Sequence, residues 1–177
     1  DIKADAFICT HNHLDHVDVD LIEEMNTDGI EFYAPTDCKE TLENLGVKGY
    51  NAFDMGSTVK IGNFEVEAVY ADHTVPAIGV VVKHSGNTLY FTSDTLYNEK
   101  LAKVKCDILF ICINGKLGNM NVDEAIKITK MISPKTAVPN HYDMFESNSE
   151  DPRKFKVENS FVMEHNKEYE VKYGCLI

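Results

Sequence analysis

The sequence predicts an α/β protein in which β-sheet is covered by helices, and three observations predict it. Strand and helix patterns alternate at the start of the chain. Period-two hairpins take over in the middle. Apolar, strand-like runs end one after another in polar residues able to bind a metal ion.

Residues 5–10 read as a short buried strand running into Thr10-His11-Asn12-His13-Leu14-Asp15-His16. Asp18 then caps a helix with apolar residues at helical spacing as far as Asn26. Ile30 to Ala34 is a strand stopped by Pro35. Thr36 or Asp37 caps a second helix that runs to Leu45 and closes at Gly46. Thr58 to Ile61 and Asn63 to Tyr70 alternate apolar and polar residues about the Gly62-Asn63 turn, a hairpin with one buried face. Ile78 to Lys83 and Thr88 to Thr92 form the next hairpin around Ser85-Gly86-Asn87. Asp107 to Ile113 is an apolar, β-branched strand. Val122 to Ile132 carries a helical apolar period and ends before Pro134. Thr136 to Pro139 is a short strand, a helix starts near Pro152, and strands at Ser160 to Met163 and Tyr169 to Lys172 end the chain. No repeat, low-complexity tract or linker breaks the pattern, so a single domain over residues 1–177 is expected.

Composition narrows the function. A net charge of −12 with one arginine, Arg153, offers no basic patch for nucleic acid or an anionic membrane surface. The five cysteines are odd in number, scattered and without a C-x-x-C pair, which suits reduced core residues of a cytoplasmic protein. No apolar run is long enough to span a bilayer. A small-molecule substrate is therefore expected.

The His-rich stretch is the densest chemistry in the chain. In an extended segment His11, His13 and Asp15 share a face, and a turn after Asp15 brings His16 toward the same space. A polar loop with histidines there by chance is the bland alternative, but imidazoles are costly to crowd unless a cation or hydrogen bonds hold them. Later strands end in His73, Asp94 and His141, so five of the seven histidines sit at strand ends. His84 and His165 lie in turns and receive no role. The seven donors His11, His13, Asp15, His16, His73, Asp94 and His141 are nitrogen and oxygen without sulfur, which suits manganese, zinc or iron.

The H-x-H-x-D-H motif, a later His, an Asp after the next hairpin and a final His resemble the metallo-β-lactamase superfamily over nearly the whole chain. More narrowly, three stretches resemble the L-ascorbate-6-phosphate lactonase branch. They are Phe91-Thr92-Ser93-Asp94-Thr95, then Ile113-Asn114-Gly115 with Gly118-Asn119-Met120-Asn121, and Val138 to Phe145 followed by Asp151-Pro152-Arg153. The resemblance implies a four-layer αβ/βα sandwich of two mixed sheets with outer helices. It places one divalent ion on His11, His13 and His73 and a second on Asp15, His16 and His141, with Asp94 bridging and manganese favoured. Superfamily members carry earlier strands and an acidic residue within them, whereas this sequence starts about one strand before the motif. The first sheet is thus expected to be short, or to be completed by more of the chain or by another chain, and its open edge favours a homo-oligomer.

The expected reaction is attack on an acyl carbon by a hydroxide shared between the two ions, with Asp15 and Asp94 as catalytic carboxylates. A lactone such as L-ascorbate 6-phosphate or a related sugar lactone suits it. A phosphodiesterase or nuclease of the same fold and a non-catalytic metal-binding protein are the alternatives. If the substrate is phosphorylated, Lys116 and Arg153 are its candidate cations, with Lys154 beside Arg153. Asn114 is a candidate polar contact, as are Asn119 and Asn121. Tyr142 is a further substrate contact, and Tyr142 and Asp143 beside His141 are candidates to orient that ligand.

Overall fold

Apolar side chains separate onto two faces in almost every strand, and that alternation builds the layers. The computed structural model describes residues 4–143 and 150–177; Met144 and Phe145 of the branch-like stretch lie outside them. Strands β1 (Ala6–Ile8), β2 (Glu31–Ala34) and β3 (Tyr50–Ala52) form an all-parallel sheet in the order β1-β2-β3. Phe7 stacks on Phe32, ring centroids 5.2 Å apart, against Val17, Ile22 and Leu42 from the side of helices α1 (Val19–Glu24) and α2 (Lys39–Asn44). Ala6, Ile8 and Tyr33 point to the other face and meet Val66, Ala68, Ile78 and Val80 of a second sheet.

That second sheet has six strands: β4 (Thr58–Ile61), β5 (Phe64–Tyr70), β6 (Ile78–His84), β7 (Asn87–Phe91), β8 (Ile108–Cys112) and β9 (Thr136–Asn140). β4 to β7 run antiparallel, and β8 and β9 join parallel to β7. Its outer face, with Tyr90, Leu109 and Ile111, packs on Ala125, Ile128 and Ile132 of α3 (Val122–Ile132). The order is helix, sheet, sheet, helix, a metallo-β-lactamase fold.

Local chemistry explains the boundaries. Asp18 accepts a hydrogen bond from the Leu21 amide at the start of α1. Asn121 and Glu124 make a reciprocal capping box on α3, which ends at Ser133 in the left-handed conformation. Asn121 is therefore engaged as a cap. Ser85 and Gly86 both have positive φ, the two-residue turn that a tight hairpin between β6 and β7 requires.

Four expectations need correction. The motif strand stops at Ile8, and the His16 and Val17 amides both bond to the His13 carbonyl, so the turn starts at His13 rather than after Asp15. Before α2 there is a 3-10 turn, Thr36–Cys38, without a side-chain cap, because the Thr36 amide and hydroxyl both bond to Asp54. Pro152–Lys154 is a single 3-10 turn capped by Asp151, not a helix. The final hairpin pairs β10 (Val171–Lys172) with β11 (Cys175–Leu176) about Tyr173-Gly174, both at positive φ, while Ser160 only bridges to Ala137. A two-residue turn with both φ positive sets that register.

Candidate metal centre

Every predicted ligand leaves the carboxyl end of a strand: His11 to His16 after β1, His73 after β5, Asp94 after β7 and His141 after β9. The Ile78 amide bonds to the Thr10 carbonyl, tying the motif loop to the larger sheet at that rim. Residues up to 130 positions apart thereby converge.

They converge as two groups. Donor atoms of His11, His13 and His73 lie within 4.8 Å of one another, and so do those of Asp15, His16, Asp94 and His141. In the first group His13 Nδ1 lies 3.1 Å from His11 Nε2 and 3.2 Å from His73 Nε2. In the second, Asp94 Oδ1 is 3.1 Å from His141 Nε2 and 3.3 Å from His16 Nε2, while its Oδ2 is 3.8 Å from His73 Nε2. Asp94 thus offers one oxygen toward each group. Asp15 Oδ2 closes the outer side, 3.3 Å from His141 Nε2 and 3.4 Å from His16 Nε2.

These residues fit divalent cations. His16 Nε2 and Asp94 Oδ1 are buried without a hydrogen-bond partner, because their 3.3 Å approach lacks hydrogen-bond geometry. Orphaned donors facing one another are costly in a folded interior unless something binds both. Burial, followed by the charges of neighbouring imidazoles, pushes His11 down to about 3, so it is a neutral lone-pair donor at physiological pH. Burial by itself would raise the Asp94 carboxyl, but His16, the Asn119 hydrogen bond and the nearby His141 hold it well below the usual carboxylate range. By contrast, burial raises the Cys9 and Cys112 thiols to about 11 and those of Cys38 and Cys106 to about 12, which leaves them protonated and inert.

Outer contacts orient the candidate ligands. His73 Nδ1 donates to the Gly118 carbonyl at 3.0 Å, which turns its Nε2 lone pair to the site. Asn119 Nδ2 donates to Asp94 Oδ2 at 2.8 Å while its Oδ1 accepts from the Thr95 amide. Thr10 Oγ1 lies 3.1 Å from His11 Nδ1 and 3.2 Å from His16 Nδ1, and Ser93 donates its hydroxyl proton to Thr10. Sequence reasoning gave Thr10, Ser93 and Gly118 no such role; their only signal was adjacency to ligands or, for Gly118, place in a Gly-rich loop. Four of the eight non-glycine residues at positive φ among the described residues, Ser93, Leu117, His141 and Asp143, also lie here. Such strain is held at sites where surrounding contacts over-determine the backbone.

The residues expected to meet substrate are placed differently. The Asn114 carboxamide is 2.9 Å from His141 Nδ1 and its oxygen accepts from the Lys116 amide, so it supports a ligand rather than facing outward. Arg153 is bound to Asp151 by Nε at 2.8 Å and Nη2 at 2.9 Å, and Lys154 is bound to Glu150 at 2.7 Å. Arg153 is thus turned to its own loop. Lys116 is exposed and has interactions of its own. Tyr142 packs against the core beneath α3, and burial raises its phenol, helped by the charge of exposed Asp143. No contact ties Tyr142 to a ligand among those described.

Gly118 sets up a prediction. A Cβ there would come within 2.7 Å of His73 Nδ1 and 2.9 Å of Thr74 Cγ2, and its φ is +83°. Gly118→Ala is expected to displace His73, costing about 1–3 kcal/mol of stability and roughly ten- to a hundredfold in metal affinity. Metal titration of the purified variant checks it.

A rim of imidazoles and carboxylates at the carboxyl ends of strands in a helix-sheet-sheet-helix sandwich marks a metallo-β-lactamase fold with a candidate metal centre. Residues 2–142 match the beta-lactamase superfamily domain, and the chain belongs to that family. It is similar to a UPF0173 metal-dependent hydrolase of Staphylococcus saprophyticus, 32% identical in an alignment that covers 88% of this chain and 75% of the relative. Among solved structures it resembles a metallo hydrolase of the archaeon Ignicoccus hospitalis. The TM-score there is 0.75 at 22% identity, covering 90% of this chain and 76% of that one. A metallo-β-lactamase fold protein of Bacillus subtilis superposes with a TM-score of 0.72 at 22% identity, covering 85% and 69%. Among the described residues, no helix is long and apolar enough to cross a membrane.

Proposed function

We propose that the chain is a binuclear hydrolase that opens a lactone. The observation that carries this reading is the placement of Asp94, one oxygen toward His16 and His141 and the other toward His73. His11, His13 and His73 would hold one ion, and Asp15, His16 and His141 the other. Manganese or zinc suits the donors, and iron is also compatible. A cation pair held there supplies a water-derived nucleophile near neutral pH and polarises an acyl oxygen.

The chain's own residues do the rest. Asp94, buried and hydrogen-bonded by Asn119, would fix the spacing of the two groups. Asp15 has 38% of its side chain exposed and reaches solvent, so it can accept a proton from water and return it to the leaving alkoxide. A lactone suits this division of labour, because its leaving oxygen stays tethered and needs only that proton. The resemblance to the ascorbate-phosphate branch supports the lactone over a phosphodiester, and the acidic composition weighs against a nuclease.

The test is metal analysis of protein purified without added metal, followed by turnover of a lactone panel that includes L-ascorbate 6-phosphate, beside bis(p-nitrophenyl) phosphate. Two ions per chain with lactone opening is the expected result. Activity on the phosphodiester alone overturns it, and full occupancy without turnover on either points to a non-catalytic metal-binding protein. Self-association belongs to the same reading: β1 has no strand on its outer side among the described residues. A monodisperse monomer in sedimentation contradicts that part.

A further inference from the structure

Four loops at the metal-bearing rim each expose a large apolar side chain. Leu14, 77% exposed, sits between the ligands His13 and Asp15. Leu117, 65% exposed, precedes the Gly118 carbonyl that holds His73. Leu96 follows Asp94 by two residues, and its amide bonds to the Asp72 carbonyl beside His73. Met55, 64% exposed, follows β3 and lines the cleft next to His73. Single exposed leucines mean little, but apolar side chains gathered around a polar centre mark a binding surface. Leu117 is moreover held at φ 53°, a conformation that costs a non-glycine residue energy.

The cleft itself, about 580 Å³, has walls from Pro35, Met55, Tyr70, Val75, Pro76 and Ala77. Its two carboxylates are already satisfied. Asp54 accepts from the Thr36 amide at 2.8 Å and hydroxyl at 2.6 Å, and Asp72 accepts from Tyr70 and Asn98 at 3.1 Å each. Among the described residues, no lysine or arginine lines it. Lys100 lies 5.0 Å from the centre of the Tyr70 ring, and on the other flank Arg153 and Lys154 are paired to Asp151 and Glu150. With a net charge of −12 around it, an anionic group placed here would lose water and meet no cation among the described lining residues, and Lys116, on the rim beside Leu117, has interactions of its own.

We infer that the site selects an uncharged lactone carrying a hydrocarbon chain, the chain lying in the cleft along Met55 and Val75; this rests on the lactone reading above. Water's oxygen bonds to the acyl carbon, the ring acyl–oxygen bond breaks, and the proton passes to the alkoxide. The product is a hydroxy acid that ionises at neutral pH.

The experiment compares kcat/KM of the metal-loaded protein for three six-membered lactones: the bare ring, the ring with a five-carbon alkyl chain, and a phosphorylated sugar δ-lactone. The alkyl lactone is expected to exceed the bare ring by about tenfold, with the phosphorylated one below both. Met55→Gln and Val75→Gln are each expected to cut the alkyl-to-bare ratio about threefold, while Leu21→Gln, on exposed α1, leaves the ratio unchanged. Equal or better use of the phosphorylated lactone, or an unchanged ratio in both cleft variants, overturns the inference. If no lactone is opened, the lactone reading alone fails. Calorimetric binding of the alkyl and bare lactams to the same protein then decides the chain preference, and equal affinities overturn it.

Discussion

Replacing Asp94 with alanine is expected to lower turnover at least a hundredfold, to about the level left when one essential charge-stabilising group is removed from an active site. Bound metal should fall from two ions per chain to one or fewer. The reason is geometric. Asp94 is 3% exposed, and its two oxygens are the atoms that face both imidazole groups. Alanine leaves His16, His141 and Asp15 with a gap where their shared partner stood. The fold should survive, because Asp94 lies in a loop after β7 and belongs to none of the three apolar cores. Far-UV circular dichroism, metal analysis and steady-state kinetics on one preparation check all three points. Full turnover by Asp94→Ala would dispose of the two-ion scheme.

Stripping the metal is expected to lower the melting temperature by about 10 °C. A ligand present at a thousand times its dissociation constant stabilises the folded state by about 4 kcal/mol, and each kcal/mol moves the midpoint of a chain this size by roughly 2–4 °C. The structural cause is the packing of imidazoles with their lone pairs turned inward: His11 and His16 have ring centroids 4.0 Å apart, and His11 and His73 4.7 Å. Acid should act in the same direction. His11 is depressed from 6.5 to about 3 in the folded chain, so between those values the unfolded chain binds the extra proton. Its contribution is therefore fully present above about pH 6.5 and is lost as pH falls toward 3. Asp94, held below its ordinary range, contributes above the unfolded carboxylate value and loses that contribution only at still lower pH. Differential scanning calorimetry with and without chelator, from neutral pH to about pH 5, reads both effects. A midpoint unmoved by chelation would mean that these groups do not hold metal.

Several elements were legible because their signals are local. α3 spans Val122–Ile132 as its apolar period requires, and the two central hairpins turn where Gly62 and Gly86 allow positive φ. β3 was missed, since Tyr50-Asn51-Ala52 is three residues without alternation and becomes a strand only by lying beside β2. The closing strands were misplaced because nothing nearby distinguishes the apolar pattern at Ser160 to Met163 from a paired strand. The Tyr173-Gly174 turn decides the matter.

The sequence by itself determined the fold class and offered a candidate donor set. Histidine and carboxylate chemistry belongs to residue type, and strand and helix periods belong to spacing along the chain. Only the tertiary structure decided that Asn114, Asn119, Thr10 and Gly118 contact the candidate ligands, that Arg153 is spent on Asp151, and that Met55 lines the cleft beside His73. The physical reason is reach. Hydrogen bonds and apolar contacts act over a few ångströms, so partners such as Ser93 and Thr10, or Gly118 and His73, acquire their roles only when the sheets bring them together.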